Sequence, residues 1–246
     1  MIPLKDDNPT RTLPFVNYGL IFINLLVFMW EINSGAFNHA TITQMAIVPA
    51  RVMQGGLSVE NLRSAFVSMF MHASWAHLLG NMLYLWIFGD NVEDALGHFR
   101  YIFFYLMGGF AATSTHVLLY PASTVPTVGA SGAIAAVLGA YLLLYPHRRV
   151  VTLIPLGFFV QLARVPAVIV LGFWFLLQLI EGALALGAAE LAGVAFWAHI
   201  GGFVFGLILG PLLRKRGQPE TYRDDWNRWE KNTPRSHHCR GDVATQ

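Results

Sequence analysis

The feature that most constrains this chain is where it carries no charge. No Asp, Glu, Lys or Arg occurs between Arg100 and Arg148, and none between Glu190 and Arg214. One helical crossing of a bilayer needs roughly 20 apolar residues, so the first run is long enough for two crossings. Composition points the same way. Hydrophobic residues make up 55% and charged residues 12%, the latter about half the share of a soluble domain. This excludes intrinsic disorder and leaves too little charge to cover a soluble globule. The single cysteine, Cys239, excludes a disulfide scaffold. A net charge of +2 gives no electrostatic case for a nucleic-acid partner. The chain reads as an all-α polytopic membrane protein whose immediate partner is the lipid bilayer.

Six spans are expected, near residues 15–32, 75–89, 99–119, 131–145, 166–186 and 191–213. They define a membrane domain over 15–213, preceded by a short segment 1–14 and followed by a polar tail 214–246. The first apolar run lacks a convincing small-residue cleavage site, so no cleavable signal peptide is expected. With an even number of spans both termini share a side. That side collects Lys5, Arg11, Arg100, Arg148, Arg149, Arg164, Arg214, Lys215 and Arg216, against Arg51 and Arg63 on the other. The bias predicts cytoplasmic termini. The external stretch 33–74 is long but too apolar to be disordered, and is expected to be partly membrane-embedded. The apolar segment 150–163, broken by Pro155 and Gly157, is expected to lie along the cytoplasmic interface. The tail carries Trp226 and Trp229 among charges, as a short amphipathic helix or a flexible end. There is no internal repeat of the kind that marks inverted-repeat transporters.

Polar groups inside spans are costly and are candidates for function. They are few: His72, His77 and Asn81 at the start of span two, His116 in span three, Ser131 opening span four, Gln178 and Glu181 toward the outer end of span five, and His199 in span six. Spans two, four and six all run inward. His77 lies 13 residues before Asp90, Ser131 lies 17 before Arg148, and His199 lies 15 before Arg214. These separations correspond to about 20, 25 and 22 Å of helix. All three residues therefore sit at a similar depth, below the outer face of a roughly 30 Å core.

Small residues show how the backbones can approach. Span four opens Gly129-Ala130-Ser131-Gly132-Ala133, and span six carries Gly202, Gly206 and Gly210 at four-residue spacing. Such faces permit close helix packing in lipid. His199, three residues before Gly202, shares that face, so a Ser on span four and a His on span six can meet as nucleophile and base. Blander readings apply to each part. A glycine stripe by itself is usually packing, and a single Ser in a span usually bonds back to its own helix. Metal ligation by His72, His77 and His199 is disfavoured, because on a helix the five-residue spacing turns His72 and His77 about 140° apart. No Cys or carboxylate joins them at that depth. Neither a metal nor another cofactor is expected.

These residues match a family. Gly129-Ala130-Ser131-Gly132 resembles the GxSG nucleophile motif of the rhomboid intramembrane serine proteases, and Ala198-His199-Ile200-Gly201-Gly202 with Gly206 resembles their AHxGGxxxG motif. His72, His77 and Asn81 are similar to the family's HxxxxHxxxN pattern. Gly89, Glu93 and Gly97 are similar to its GxxxExxxG, and Arg63 to the arginine that ends its first external loop. The resemblance covers about residues 15–213. It implies that Ser131 is the nucleophile, that His199 is the general base and then acid, and that His77, Asn81 and the Ser131 N–H form the oxyanion hole. His72 would organise the loop and water nearby. Gly129, Gly132 and Gly202 would support the site. It also implies a fifth-span gate, transmembrane protein substrates cleaved near the outer face, and the six-span form of a bacterial inner membrane. One position departs: some members place a Tyr one turn after the nucleophile, against the base, where this chain has Ala135.

Two other readings stay open. A catalytically inactive rhomboid-like protein that binds membrane clients is opposed by the presence of both Ser131 and His199. A transporter or channel is opposed by the absence of charge from the central parts of the spans.

Overall fold

The computed structural model of the chain describes residues 1–35, 39–156, 159–185 and 195–215. Trp226, Trp229 and Gly157, singled out in the sequence, lie outside them, as does most of the segment 214–246. Pro14 immediately precedes helix α1 (Phe15–Asn33), where its missing N–H costs no helical bond. The stretch read as a long external loop is built from three short helices, α2 (His39–Met45), α3 (Pro49–Gly55) and α4 (Val59–Ser68). Pro49 starts α3, the position where proline is tolerated best. The Ser58 side chain caps α4 by accepting from the Asn61 N–H. The Arg51 guanidinium donates to the Thr43 carbonyl at 2.9 Å and to the Ala46 carbonyl, tying α3 to α2.

Ser74 caps α5 (Trp75–Tyr84) by accepting from the His77 N–H. Its helix runs on through a π-helical turn, Leu85–Gly89, into α6 (Asp90–Leu96). Then come α7 (His98–Leu119) and α8 (Ser131–Leu144). Strands β2 (Arg149–Leu156) and β3 (Phe159–Pro166) lead into α9 (Ala167–Ala185) and α10 (Phe196–Leu213). Among the described residues four helices, α1, α7, α9 and α10, are long and apolar enough to cross a membrane. They present large apolar side chains outward, among them Phe22, Leu26, Leu176, Ile180 and Leu212, as lipid contact requires. Helix α8 has 14 residues, about 21 Å, and is buried from Gly132 to Tyr141 with α7, α9 and α10 around it.

Small residues set that packing. A Cβ at Gly202 would overlap the Gly132 carbonyl oxygen, and one at Gly206 would overlap the Ala136 carbonyl oxygen. Helices α8 and α10 thus touch backbone to backbone. At the start of α1, Glu93 is fully buried and accepts from the Val16 and Asn17 N–H groups at 3.1 and 2.7 Å. It caps the first turn of α1 from another part of the chain, satisfying donors that have no intrahelical partner. His98 Nδ1 lies 2.5 Å from the same carboxylate. Gly89 leaves room for the Asn17 amide, which donates to the Leu85 carbonyl in the π-helical turn at 3.0 Å and accepts from Tyr101 Oη at 2.8 Å. Gly97 ends α6 with φ 83°, a conformation costly for other residues. The Gly89, Glu93, Gly97 set therefore organises the junction of α1, α6 and α7.

The all-α reading needs one correction. Strand β1 (Ile2–Asp6) pairs antiparallel with β2, which pairs antiparallel with β3, giving a three-stranded sheet in the order β1-β2-β3. Register runs from Ile2↔Leu153 to Asp6↔Val150 and, across the hairpin, from Arg149↔Pro166 to Leu156↔Phe159. The run Val150-Val151-Thr152-Leu153-Ile154, β-branched at every position but Leu153, favours a pleated strand, and β1 gives it a partner. Strands from segments 1–14 and 150–163 are thus paired with one another. Asp6 fastens the sheet to the bundle: its carboxylate accepts from Tyr141 Oη at 2.6 Å and Asn91 Nδ2 at 3.0 Å. Burial pushes the Asp6 carboxyl up to about 7, the Tyr141 hydrogen bond opposing and the Asp90 charge adding to the rise.

Candidate active site

Ser131 is the first residue of α8, at the positive end of the helix dipole. The turn before it depends on Gly129, whose φ of 133° suits glycine alone. A Cβ there would lie 2.7 Å from His77 Cε1, so the missing side chain lets the His77 ring close over the turn. The Gly129 N–H donates to the Ser68 carbonyl at 2.8 Å, and Ile47 forms an antiparallel bridge with Thr127. The segment between α2 and α3 and the end of α4 thereby hold the loop that delivers Ser131.

The close α8–α10 contact brings Ser131 Oγ to 2.8 Å from His199 Nε2. The other ring nitrogen, Nδ1, is 2.7 Å from Gln178 Oε1 on α9. The Trp174 ring, one turn earlier on α9, lies 5.9 Å from the His199 ring, tilted by 34°. Ala135 is buried and leaves the ring without the neighbour that a Tyr would supply; Trp174 stands against it instead. Sequence reading names Gln178 without a partner and passes over Trp174. Their four-residue spacing, which puts both on one face of a helix, is the signal that connects them.

His72, His77 and Asn81 sit together, though not as a helical pattern. Ser74 caps α5, so His72 belongs to the loop before the helix and the 140° helical argument does not apply to it. Its ring lies 5.1 Å from that of His77, edge-on. Asn81 Nδ2 donates to His72 Nε2 at 2.9 Å, which orients the amide and leaves it one further N–H. The His72 N–H donates to Glu31 Oε2 at 3.2 Å. Glu31, buried on α1, is absent from the sequence-derived site because it reads as a charge at the end of a span.

A cavity of about 510 Å³ is lined by His77, Asn81, Ser131 and His199, with His116 and Thr127 among its other walls. His116 Nε2 lies 3.2 Å from Thr127 Oγ1. Arg63 is exposed on α4 and Glu181 is exposed on α9; neither lines the cavity. Among the described residues no group of three or more His, Cys, Asp or Glu side chains is arranged to hold a metal ion.

Residues 59–216 match the family model described as the Rhomboid domain. The chain belongs to the rhomboid family. This rhomboid is 28% identical over 209 residues to Rhomboid protease GluP of Bacillus subtilis, covering 85% of this chain and 36% of that protein. It is 28% identical over 215 residues to the mitochondrial Rhomboid protein 1 of Saccharomyces cerevisiae, covering 84% of this chain and 55% of the other. It is 31% identical over 154 residues to the chloroplastic Rhomboid-like protein 11 of Arabidopsis thaliana, covering 59% and 50%. The chain thus spans about half the length, or less, of these relatives, which come from bacterial and organellar settings alike. Family and apolar helices together make this rhomboid an integral membrane protein. In chemical terms its cavity holds a hydroxyl bonded to an imidazole, a second imidazole, and an amide with a spare N–H, the parts that acyl transfer requires.

Proposed function

We propose that this rhomboid is an intramembrane serine endopeptidase that cleaves transmembrane segments of membrane proteins near their outer ends. The observation that carries the reading is the 2.8 Å contact between Ser131 Oγ and His199 Nε2 inside the cavity. Ser131 attacks a substrate carbonyl as its proton passes to His199 Nε2. The resulting oxyanion accepts hydrogen bonds from His77, the free N–H of Asn81 and the Ser131 backbone N–H. Such donors contribute roughly 3 kcal/mol each in a shielded site. His199 then protonates the leaving amine, and water, activated by the same imidazole, hydrolyses the acyl-enzyme. His72 holds Asn81 in the donating orientation. Gly129, Gly132 and Gly202 allow the approaches that assemble the site.

The chain crosses the bilayer six times over residues 15–213, with α5 to α6 and the short α8 as the second and fourth spans. Segments 1–14 and 214–246 are cytoplasmic, as the Lys and Arg distribution supports. The short α8 leaves room above Ser131 for water. A substrate helix has its carbonyls engaged in hydrogen bonds, so it must unwind locally, which favours substrates with Gly or Pro near the cut. The test is cleavage of a reporter transmembrane segment by the reconstituted protein. Ser131→Ala and His199→Ala should each abolish cleavage with the melting temperature retained, and a fluorophosphonate should label Ser131. Undiminished cleavage by either variant, or labelling of another serine, refutes the reading.

A further inference from the structure

The residue that completes the base comes from a helix carrying neither Ser131 nor His199. We propose that Gln178 is a positioning residue that fixes the tautomer and orientation of His199 and so makes the base depend on the placement of α9. This inference rests on the Ser131–His199 reading above.

A neutral imidazole carries one N–H and one lone pair. To take a proton from Ser131, Nε2 must hold the lone pair, so the N–H must sit on Nδ1. Gln178 Oε1, 2.7 Å from Nδ1, is an acceptor and selects that tautomer. In the other tautomer Nε2–H would donate to Ser131 Oγ, which removes the lone pair the base needs, and Nδ1 would face the Gln178 carbonyl oxygen, acceptor against acceptor. Gln178 is buried, at 7% exposure, so water does not compete for the bond. A carboxylate could do the same work, but a fixed charge inside a span is expensive; an amide provides the acceptor without it. As the Ser131 Oγ–C bond forms, the proton moves from Oγ to Nε2. The Nδ1–H stays on Gln178, whose amide takes no proton.

The anchoring is not a single contact. Trp174 lies against the ring from the preceding turn of α9, and Trp197 Nε1 on α10 donates to the Gly182 carbonyl of α9 at 3.1 Å, one turn beyond Gln178. Three successive turns of α9 thus hold the outer end of α10. A displacement of α9 breaks the Gln178 bond and frees the imidazole to rotate or change tautomer, so the base is set only while α9 is packed against α10.

The experiment uses the full chain reconstituted in vesicles with a transmembrane reporter substrate, and compares Gln178→Leu, Gln178→Met and Gln178→Glu. Removing the group that orients a catalytic histidine costs about 10⁴-fold where that group is a carboxylate. A neutral acceptor makes a bond roughly half as strong, so the Leu and Met variants should lose roughly 10- to 100-fold in kcat, with KM within about twofold. Fluorophosphonate inactivation should slow by a similar factor. Gln178→Glu keeps an acceptor oxygen in either protonation state and should recover to within about fivefold of the parent. Leu and Met variants with the parent's kcat, a change confined to KM, or a Glu variant as slow as Leu would overturn the proposal. Melting curves are taken for each variant. If Leu and Met both fail to fold while Glu folds, Gln178 belongs to the fold rather than the base, which also overturns it. Ser131→Ala separates the two readings: if it is inactive and Gln178→Leu is fully active, only this inference falls. If Ser131→Ala cleaves normally, both fall.

Discussion

Gly202→Ala tests the packing that brings Ser131 and His199 together. The added Cβ would overlap the Gly132 carbonyl oxygen and lie 3.4 Å from Ala112 Cβ. Both obstacles are short and rigid, one backbone and one alanine, so no side chain can swing away. A carbon needs about 3.3 Å from a carbonyl oxygen, which requires α8 and α10 to separate by on the order of 1 Å. His199 sits three residues earlier on the same face of α10, and its 2.8 Å contact with Ser131 would stretch beyond hydrogen-bonding range. A misplacement of about 1 Å costs on the order of 100-fold in rate, and overpacking costs about 1–3 kcal/mol of stability. The assay is reporter cleavage and the fluorophosphonate labelling rate in the same vesicles, with a thermal melt in detergent. Gly172→Ala on α9 is the control, since nothing lies within 4 Å of its added Cβ; it should keep full activity. A Gly202→Ala protein that cleaves at the parent rate would refute the claim that backbone contact between α8 and α10 sets the Ser131–His199 distance.

Two further outcomes follow from the end of the bundle that carries Asp6 and Glu93. Asp6 has a folded-state pKa of about 7 against 3.8 for the free side chain. The folded state therefore holds a proton that the unfolded chain releases, and the contribution to stability is fully present below about pH 4 and lost as pH rises through about 7. Hydrogen exchange in β1, corrected for its intrinsic pH dependence, should accelerate between pH 5 and 8, and Asp6→Asn should flatten that trend; an unchanged trend in the variant refutes it. Glu93→Ala should destabilise by about 1–3 kcal/mol, because it leaves the Val16 and Asn17 donors buried without an acceptor. Glu93→Gln keeps one acceptor and should cost less, and equal melting temperatures for the two variants would contradict the capping role.

Charge distribution and apolar runs mark helix starts well where a charge, a proline or a glycine turn lies beside them. The helices from Phe15, His98, Ser131 and Ala167 begin within a residue of the expected spans. Proximity was also legible: counting residues from Asp90, Arg148 and Arg214 places His77, Ser131 and His199 at one level along their helices, and they line one cavity. The readings that needed revision share a cause. His72 looks helical until the Ser74 cap sets the start of α5. The 149–166 hairpin is invisible to a search for apolar spans, although its β-branched residues carry the signal, and its partner strand lies more than a hundred residues away. Gln178 is conspicuous as a polar residue in an apolar helix, yet no local pattern says which nitrogen it meets.

What the sequence by itself determined is everything that follows from solvent and from regular geometry. Apolar length marks helices able to cross a membrane, Lys and Arg counts give an expected orientation, and a rise of 1.5 Å per residue sets the relative level of residues along neighbouring helices. Small residues mark the faces that can approach. What only the tertiary structure decided is which groups from distant segments, side chain or backbone N–H, share a hydrogen bond. Ser131 with His199, His199 with Gln178, His72 with Glu31 and Asn17 with Glu93 each join segments from 21 to 76 residues apart. The physical reason is that a hydrogen bond is decided within a few tenths of an ångström. Helical periodicity can assign a residue to a face and a level, but that finer precision is set by the packing of glycine against backbone in the assembled bundle.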